Sequence, residues 1–181
     1  VDGGGGQDWI DYSNSVTALK VDLSRGTAAP LAGLSVPAGK KSIGKDTLVN
    51  IENIFGSDFS DQITGSNLDN ILAGGAGDDQ ISGGLGLDTV DYRLSNSAVK
   101  VDLYSGRAFG LSSGMDILTG IESVIGSSFD DWFIAVNLSS LFDGDAGSDL
   151  LDYSNITSAI TADLQNGTVS GSSIGLDLLR N

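Results

Sequence analysis

Cysteine and histidine are both absent from the 181 residues. Without cysteine there is no disulfide and no thiolate metal site. Without histidine the chain lacks the commonest general base and the commonest transition-metal ligand. Basic residues are scarce: 9 Lys and Arg stand against 24 Asp and Glu, for a net charge of −15. Such a surface repels nucleic acid and anionic membranes and suits cations. Two prolines against 26 glycines, with no collagen period, indicate many tight turns. No apolar run approaches the roughly eighteen residues a membrane helix needs, and no signal peptide opens the chain. At 40% hydrophobic residues the acidic chain is too apolar to read as disordered. These features describe a turn-rich, acidic, soluble protein of extracellular type.

What is present is a beat of nine. Residues 56–91 divide into GSDFSDQIT, GSNLDNILA, GGAGDDQIS and GGLGLDTVD, each opening with Gly, with Asp or Asn sixth and an apolar residue eighth. The same register holds in GGGGQDWID (3–11), TLVNIENIF (47–55), ILTGIESVI (117–125), GSSFDDWFI (126–134) and GDAGSDLLD (144–152). AVNLSSLFD (135–143) keeps Phe142 but has Ser140 in the acid's place. A longer repeat contains the short one: DYSNSVTALKVDLSRGTA (11–28), DYRLSNSAVKVDLYSGRA (91–108) and DYSNITSAITADLQNGTV (152–169) align without gaps. Three copies, 3–82, 83–143 and 144–181, follow from this, the last cut short. A ten-residue insertion around Ala28–Gly44 lengthens the first copy relative to the second. Glu52 to Asp88 is 36 residues and Glu122 to Asp149 is 27, so one whole nonapeptide has been dropped. A chain that changes length in units of nine is stacking equal layers.

Single apolar residues every nine positions do not make a helix face. Positions one to six hold Gly, Asx and Ser, which build turns. Positions seven to nine place one apolar residue between polar ones, which is a three-residue strand with its middle side chain inward. Two such half-turns make a coil of eighteen residues, and Ile63, Leu72, Ile81 and Val90 form a thin core. Acids eighteen apart then stack on one edge about 4.8 Å apart, as Glu52, Asn70 and Asp88, as Asp61 and Asp79, and as Asp131 and Asp149. Stacked carboxylates repel unless a hard cation lies between them. Ca2+, which accepts many carboxylate and carbonyl oxygens in flexible geometry, fits better than Mg2+ or zinc.

GGAGDDQIS, GGLGLDTVD and GGGGQDWID match the GGxGxDxUx nonapeptide at every defined position, so the chain resembles the RTX calcium-binding proteins. The resemblance covers about half the chain closely, since the DYS segments are less regular. It implies an all-β fold: a right-handed parallel β-roll, or β-solenoid, with two nine-residue half-turns per coil and wider irregular coils for the DYS segments. It also implies ions held between same-edge turns, by carbonyls at the second and fourth places and the acid of the earlier turn, and by carbonyls at the first and third places and the acid of the later turn. Carried over, one site uses Ser57, Phe59 and Asp61 with Gly74, Ala76 and Asp79. A second uses Ser66, Leu68 and Asn70 with Gly83, Leu85 and Asp88; uncharged Asn70 should weaken it. A third uses Ser127, Phe129 and Asp131 with Gly144, Ala146 and Asp149. Asp8, Asp46, Asp116 and Asp177 are further candidate ligands whose partners the spacing does not give.

Other residues have plainer readings. Asp22, Asp102 and Asp163 look like a solvated strand face, while Glu52 and Glu122 fit either ligands or polar caps. Tyr12, Tyr92 and Tyr153, and the pair Phe59 and Phe129, fit packing ladders. Acid pairs recur in every coil, whereas a hydrolase needs one pair in one cleft, so no catalytic residues are expected. The resulting expectation is a calcium-dependent structural module and rigid spacer of a secreted or cell-surface protein. Its partners are Ca2+ and neighbouring repeats of a larger parent chain, with neither nucleic acid nor membrane insertion. The resemblance implies type I secretion in an unfolded state and folding outside the cell. The alternative is an adhesin wall that binds a surface glycan, through Trp9 and Trp132, or ice.

Overall fold

The computed structural model describes residues 1–33, 36, 38, 42–136 and 138–181. Among these it holds nineteen strands and no helix, and the strands form two mostly parallel sheets that do not close. One sheet runs β1 (Trp9–Asp11), β5 (Asn53–Phe55), β7 (Ile71–Ala73), β9 (Thr89–Asp91), β13 (Ser123–Ile125), β15 (Leu141–Asp143), β19 (Gly175–Arg180), β18 (Thr168–Gly171), β17 (Ile160–Asp163). The other runs β16 (Leu150–Asp152), β14 (Trp132–Ile134), β10 (Val99–Asp102), β11 (Arg107–Gly110), β12 (Gly114–Thr119), β8 (Gln80–Ser82), β6 (Gln62–Thr64), β2 (Leu19–Asp22), β3 (Thr27–Pro30), β4 (Asp46–Thr47).

Where the nonapeptides are unbroken, successive strands alternate between the sheets and pair in parallel with the strand eighteen residues on. Ile54 faces Leu72, Leu72 faces Val90, Ile63 faces Ile81, Val124 faces Phe142 and Phe133 faces Leu151. The eighth-place side chains turn inward between the sheets, and Ile54, Ile63, Leu72, Ile81, Val90 and Val124 are each at most 1% exposed. Each layer contributes only about two such residues, so a loss in one layer is not compensated by neighbours in the same plane. Leu72→Ala is expected to cost about 2–5 kcal/mol, measured by chemical unfolding of the folded protein.

The DYS segments are not wider coils. Each forms two antiparallel pairings: β2 with β3 and β3 with β4, β10 with β11 and β11 with β12, β17 with β18 and β18 with β19. The cause is local. The V/A-D-L-x-x-G stretch ends in a tight turn with Gly26, Gly106 and Gly167 at φ 62, 66 and 62. Asp22, Asp102 and Asp163 cap these turns by accepting the amides of Arg25, Ser105 and Asn166. A reversal at that point sends the strand back antiparallel instead of across to the other sheet. The solvated-face reading also fails for Asp22, which is 4% exposed and paired with Arg25. Part of the proposed Ala28–Gly44 insertion (residues 34, 35, 37 and 39–41) and Asn137 of the 135–143 unit lie outside the described residues.

Dropping one nonapeptide has a topological result. Copies one and two place their hairpins in the ten-stranded sheet, but the third places β17 and β18 in the nine-stranded one. Each nonapeptide crosses from one sheet to the other, so an even number restores the face and an odd number swaps it.

Candidate metal centre

The sixth-place acids line two columns at the strand entrances, and their first contact is with backbone. Asp61, Asp79 and Asp116 accept the amides of Leu19, Asp61 and Asp79 at 2.6, 2.8 and 3.0 Å. Farther along the same sheet, Asp131 and Asp149 accept those of Val99 and Asp131 at 2.7 and 2.8 Å. On the other edge, Glu52, Asp88, Glu122 and Asp177 accept the amides of Asp8, Asn70, Asp88 and Ser140 at 2.8–3.0 Å. Each acid thus reaches back one layer and satisfies the amide just before, or at, the start of the earlier strand. That need for an acceptor at every layer is a physical reason for the nine-residue spacing of acids, independent of any ion.

The three eighteen-residue pairs expected from the repeat are brought together. In each, the first carbonyl of the later turn and the acid of the earlier turn crowd against the earlier turn's first glycine, leaving no room for a Cβ: the Gly74 carbonyl and Asp61 Oδ2 at Gly56, the Gly83 carbonyl and Asn70 Oδ1 at Gly65, the Gly144 carbonyl and Asp131 Oδ2 at Gly126. The carbonyls of Ser57, Ser66, Phe59, Leu68 and Phe129 lie against the glycines of the next turn at Gly75, Gly84, Gly77, Gly86 and Gly147. Two expected ligand carbonyls already accept hydrogen bonds: that of Ser66 from the Leu85 amide at 3.2 Å and that of Phe59 from the Ser57 hydroxyl at 3.4 Å. The Ala76, Leu85 and Ala146 turns stack on the preceding turns through Gly77, Gly86 and Gly147.

Partners that the spacing could not supply also emerge. Asp8 meets Glu52 across 44 residues, Asp88 meets Glu122 across 34, and Asp79 meets Asp116 across 37. Asp177 pairs with Ser140, again across 37 residues. That repeated 37 is the one signal in the chain that marks both as the same step. Asp46, Asp116 and Asp177 each accept a tyrosine hydroxyl, from Tyr12, Tyr92 and Tyr153 at 2.9, 2.7 and 2.7 Å. The three tyrosines therefore tie each copy's first strand to its return strand, beyond the packing role expected of them. Phe59 and Phe129 are each 43% exposed and form no buried ladder, because the fourth place of the turn projects its side chain to solvent. Ser60, Asp69, Asp78, Asp130 and Ser139 were missed: their side chains accept fifth-place amides of the next layer and form an outer ladder.

Electrostatics sharpen the picture. Burial pushes the Asp79 carboxyl up to about 8, and the charges of Asp116, Asp61 and Asp78 add to the push. Burial likewise raises Asp88 and Asp116, each to about 6. Asp61, Asp149 and Asp177 are raised for the same first reason. Among the described residues no three acidic side chains converge on one point; the acids meet in pairs, with backbone carbonyls as the remaining oxygens. Carboxylate and carbonyl oxygens crowded together are a donor set for a hard cation. Trp9 and Trp132 sit on different sheets, in β1 and β14, and Lys100 covers the Trp132 ring at 3.7 Å. They form no aromatic row for a glycan.

No family model matches this chain, and no curated protein matches it. The nonapeptides and their geometry carry the functional reading by themselves.

Proposed function

We propose that the chain is a calcium-binding structural module of the RTX type, a right-handed parallel β-roll interrupted by three hairpins. Ca2+ would enter the gaps between stacked turns, held by two acids and several carbonyls per ion, and would supply the charge neutralisation the fold lacks. The observation that carries the reading is the repeated approach of one turn's acid oxygen and the next turn's carbonyl oxygen to the same glycine. Acceptors crowd together there, and at Asp79 and Asp88 the buried Oδ2 has no donor at all, an arrangement that favours a cation. Pairs of acids, rather than triads, are what such a site requires.

The consequence is folding linked to metal. With a net charge of −15 and a core one residue thick per half-turn, the metal-free chain is poorly held. About half a dozen ions would cancel most of that charge, and their binding energy becomes folding energy. Calcium is scarce in cytosol and abundant outside cells, so such a chain folds after export and then serves as a stiff spacer in a secreted or surface protein. Circular dichroism at pH 7.5 is expected to show the β signal in millimolar CaCl2 and to lose most of it in EGTA. An identical spectrum in both solutions would rule the reading out.

A further inference from the structure

The turns that carry these acids are of two kinds, and the second residue separates them. In the Ser turns, the Ser57 and Ser127 amides donate to Oδ2 of Asp61 and Asp131 at 2.6 Å, and their hydroxyls donate to Oδ1 at 2.8 Å. The Leu19 and Val99 amides complete the set, so both carboxylates have every oxygen satisfied from within. Asn70 is held in the same way by the Ser66 amide at 2.6 Å. In the Gly turns the second residue adopts positive φ, 100° at Gly75 and 111° at Gly84, and donates nothing to its acid. Asp79 Oδ2 and Asp88 Oδ2 are consequently left without a partner, though the residues are 1% and 0% exposed. Asp8, behind Gly4 at φ 92°, has the same orphaned oxygen.

Buried acceptors without donors are rare in folded proteins and call for a specific cause. At Asp88 the surroundings are visible: Oδ2 and the Gly120 carbonyl oxygen, both acceptors, crowd against Gly83, and Oδ2 has no donor. The next layer supplies a second acid in each case: Glu122 beyond Asp88, and beyond Asp79 Asp116, whose oxygens are held by the Asp79 amide and the Tyr92 hydroxyl. Resting on the calcium-module reading, we infer that the strongest cation sites are Asp79 with Asp116 and Asp88 with Glu122. Both span a hairpin and lie outside the eighteen-residue ladder. The eighteen-residue pairs headed by Asp61, Asn70 and Asp131 bind more weakly, because an ion there must compete with serine donors already in place. The ligand class is a hard divalent cation.

The test uses the full chain, with Ca2+ as the probe, and counts tightly bound ions by calorimetry and equilibrium dialysis. Asp79→Asn and Asp88→Asn should each remove one tight ion and raise the calcium midpoint for folding about tenfold. Asp61→Asn and Asp131→Asn should keep the tight count and leave the midpoint within about twofold. Equal losses in both pairs overturn the inference while leaving the module reading intact; a wild-type chain that binds no Ca2+ overturns both. If Asp79→Asn and Asp88→Asn do not fold, hydrogen exchange on wild-type protein at limiting Ca2+ decides. Residues 74–88 and 114–122 should gain protection before 56–70 and 126–149, and a simultaneous or reversed order refutes the assignment.

Discussion

Metal-stripped protein is expected to regain at pH 5 much of the β signal that it lacks at pH 8, opposite to a fold held by ionised carboxylates. An acid whose folded pKa exceeds its unfolded value binds more protons folded than unfolded between the two, so stability falls as pH rises there. For Asp79 that window runs from near 3.8, the open-chain value, to about 8. For Asp88 and Asp116 it runs from near 3.8 to about 6. Between pH 5 and pH 8 Asp79 alone accounts for about 4 kcal/mol, a large share of the 5–15 kcal/mol, roughly, that holds a domain together. Protonation neutralises the same buried oxygens that an ion would, so acid partly replaces metal. With saturating Ca2+ the sign reverses, because the ion needs the deprotonated acids and loses them as pH falls. Circular dichroism at both pH values, with and without Ca2+, measures all four corners. Equal β signal at pH 5 and pH 8 without metal would show that the buried acids are not what destabilises the stripped chain.

The second large effect is steric. Gly77→Ala should destabilise the calcium-loaded protein far more than Gly6→Ala, although the two glycines hold the same place in their turns. Both have positive φ, 112° and 124°, so an L side chain is strained at either by about 1–3 kcal/mol. The difference is what the new methyl group meets. A Cβ on Gly6 has nothing within 4 Å, whereas on Gly77 it would lie 2.7 Å from the Phe59 carbonyl carbon and from the Ser60 nitrogen. Those are backbone atoms of the neighbouring turn and cannot swing aside as a flexible side chain would. The layers must part, and parting them breaks the Asp61 amide bond to Asp79 and opens the gap between the turns. Gly6→Ala is expected to stay within the strain cost, and Gly77→Ala to exceed it by several kcal/mol, read from calcium-loaded urea unfolding. Similar losses at both positions would mean that backbone strain, not layer spacing, is what these glycines relieve.

Much of this architecture was legible in the sequence because its layers are alike. A nine-residue unit with one apolar residue fixes the strand, its inward side chain and the eighteen-residue register, and Ile63 against Ile81 and Leu72 against Val90 stand as that spacing required. The acid pairs Asp61 with Asp79 and Asp131 with Asp149 followed from the same arithmetic.

Tertiary structure alone decided the rest, since identical spacing carries no information where the chain leaves the ladder. The DYS segments turned back on themselves as hairpins, and that excursion moved the partners of Asp8, Asp79 and Asp88 to 44, 37 and 34 residues away. Whether an acid is already satisfied depends on the backbone angle one turn-residue away. Ser57 and Gly75 occupy the same place in the repeat, yet only the Ser57 amide donates to its acid. Periodicity sets which layers lie above one another; only the folded backbone sets which oxygens are left in need.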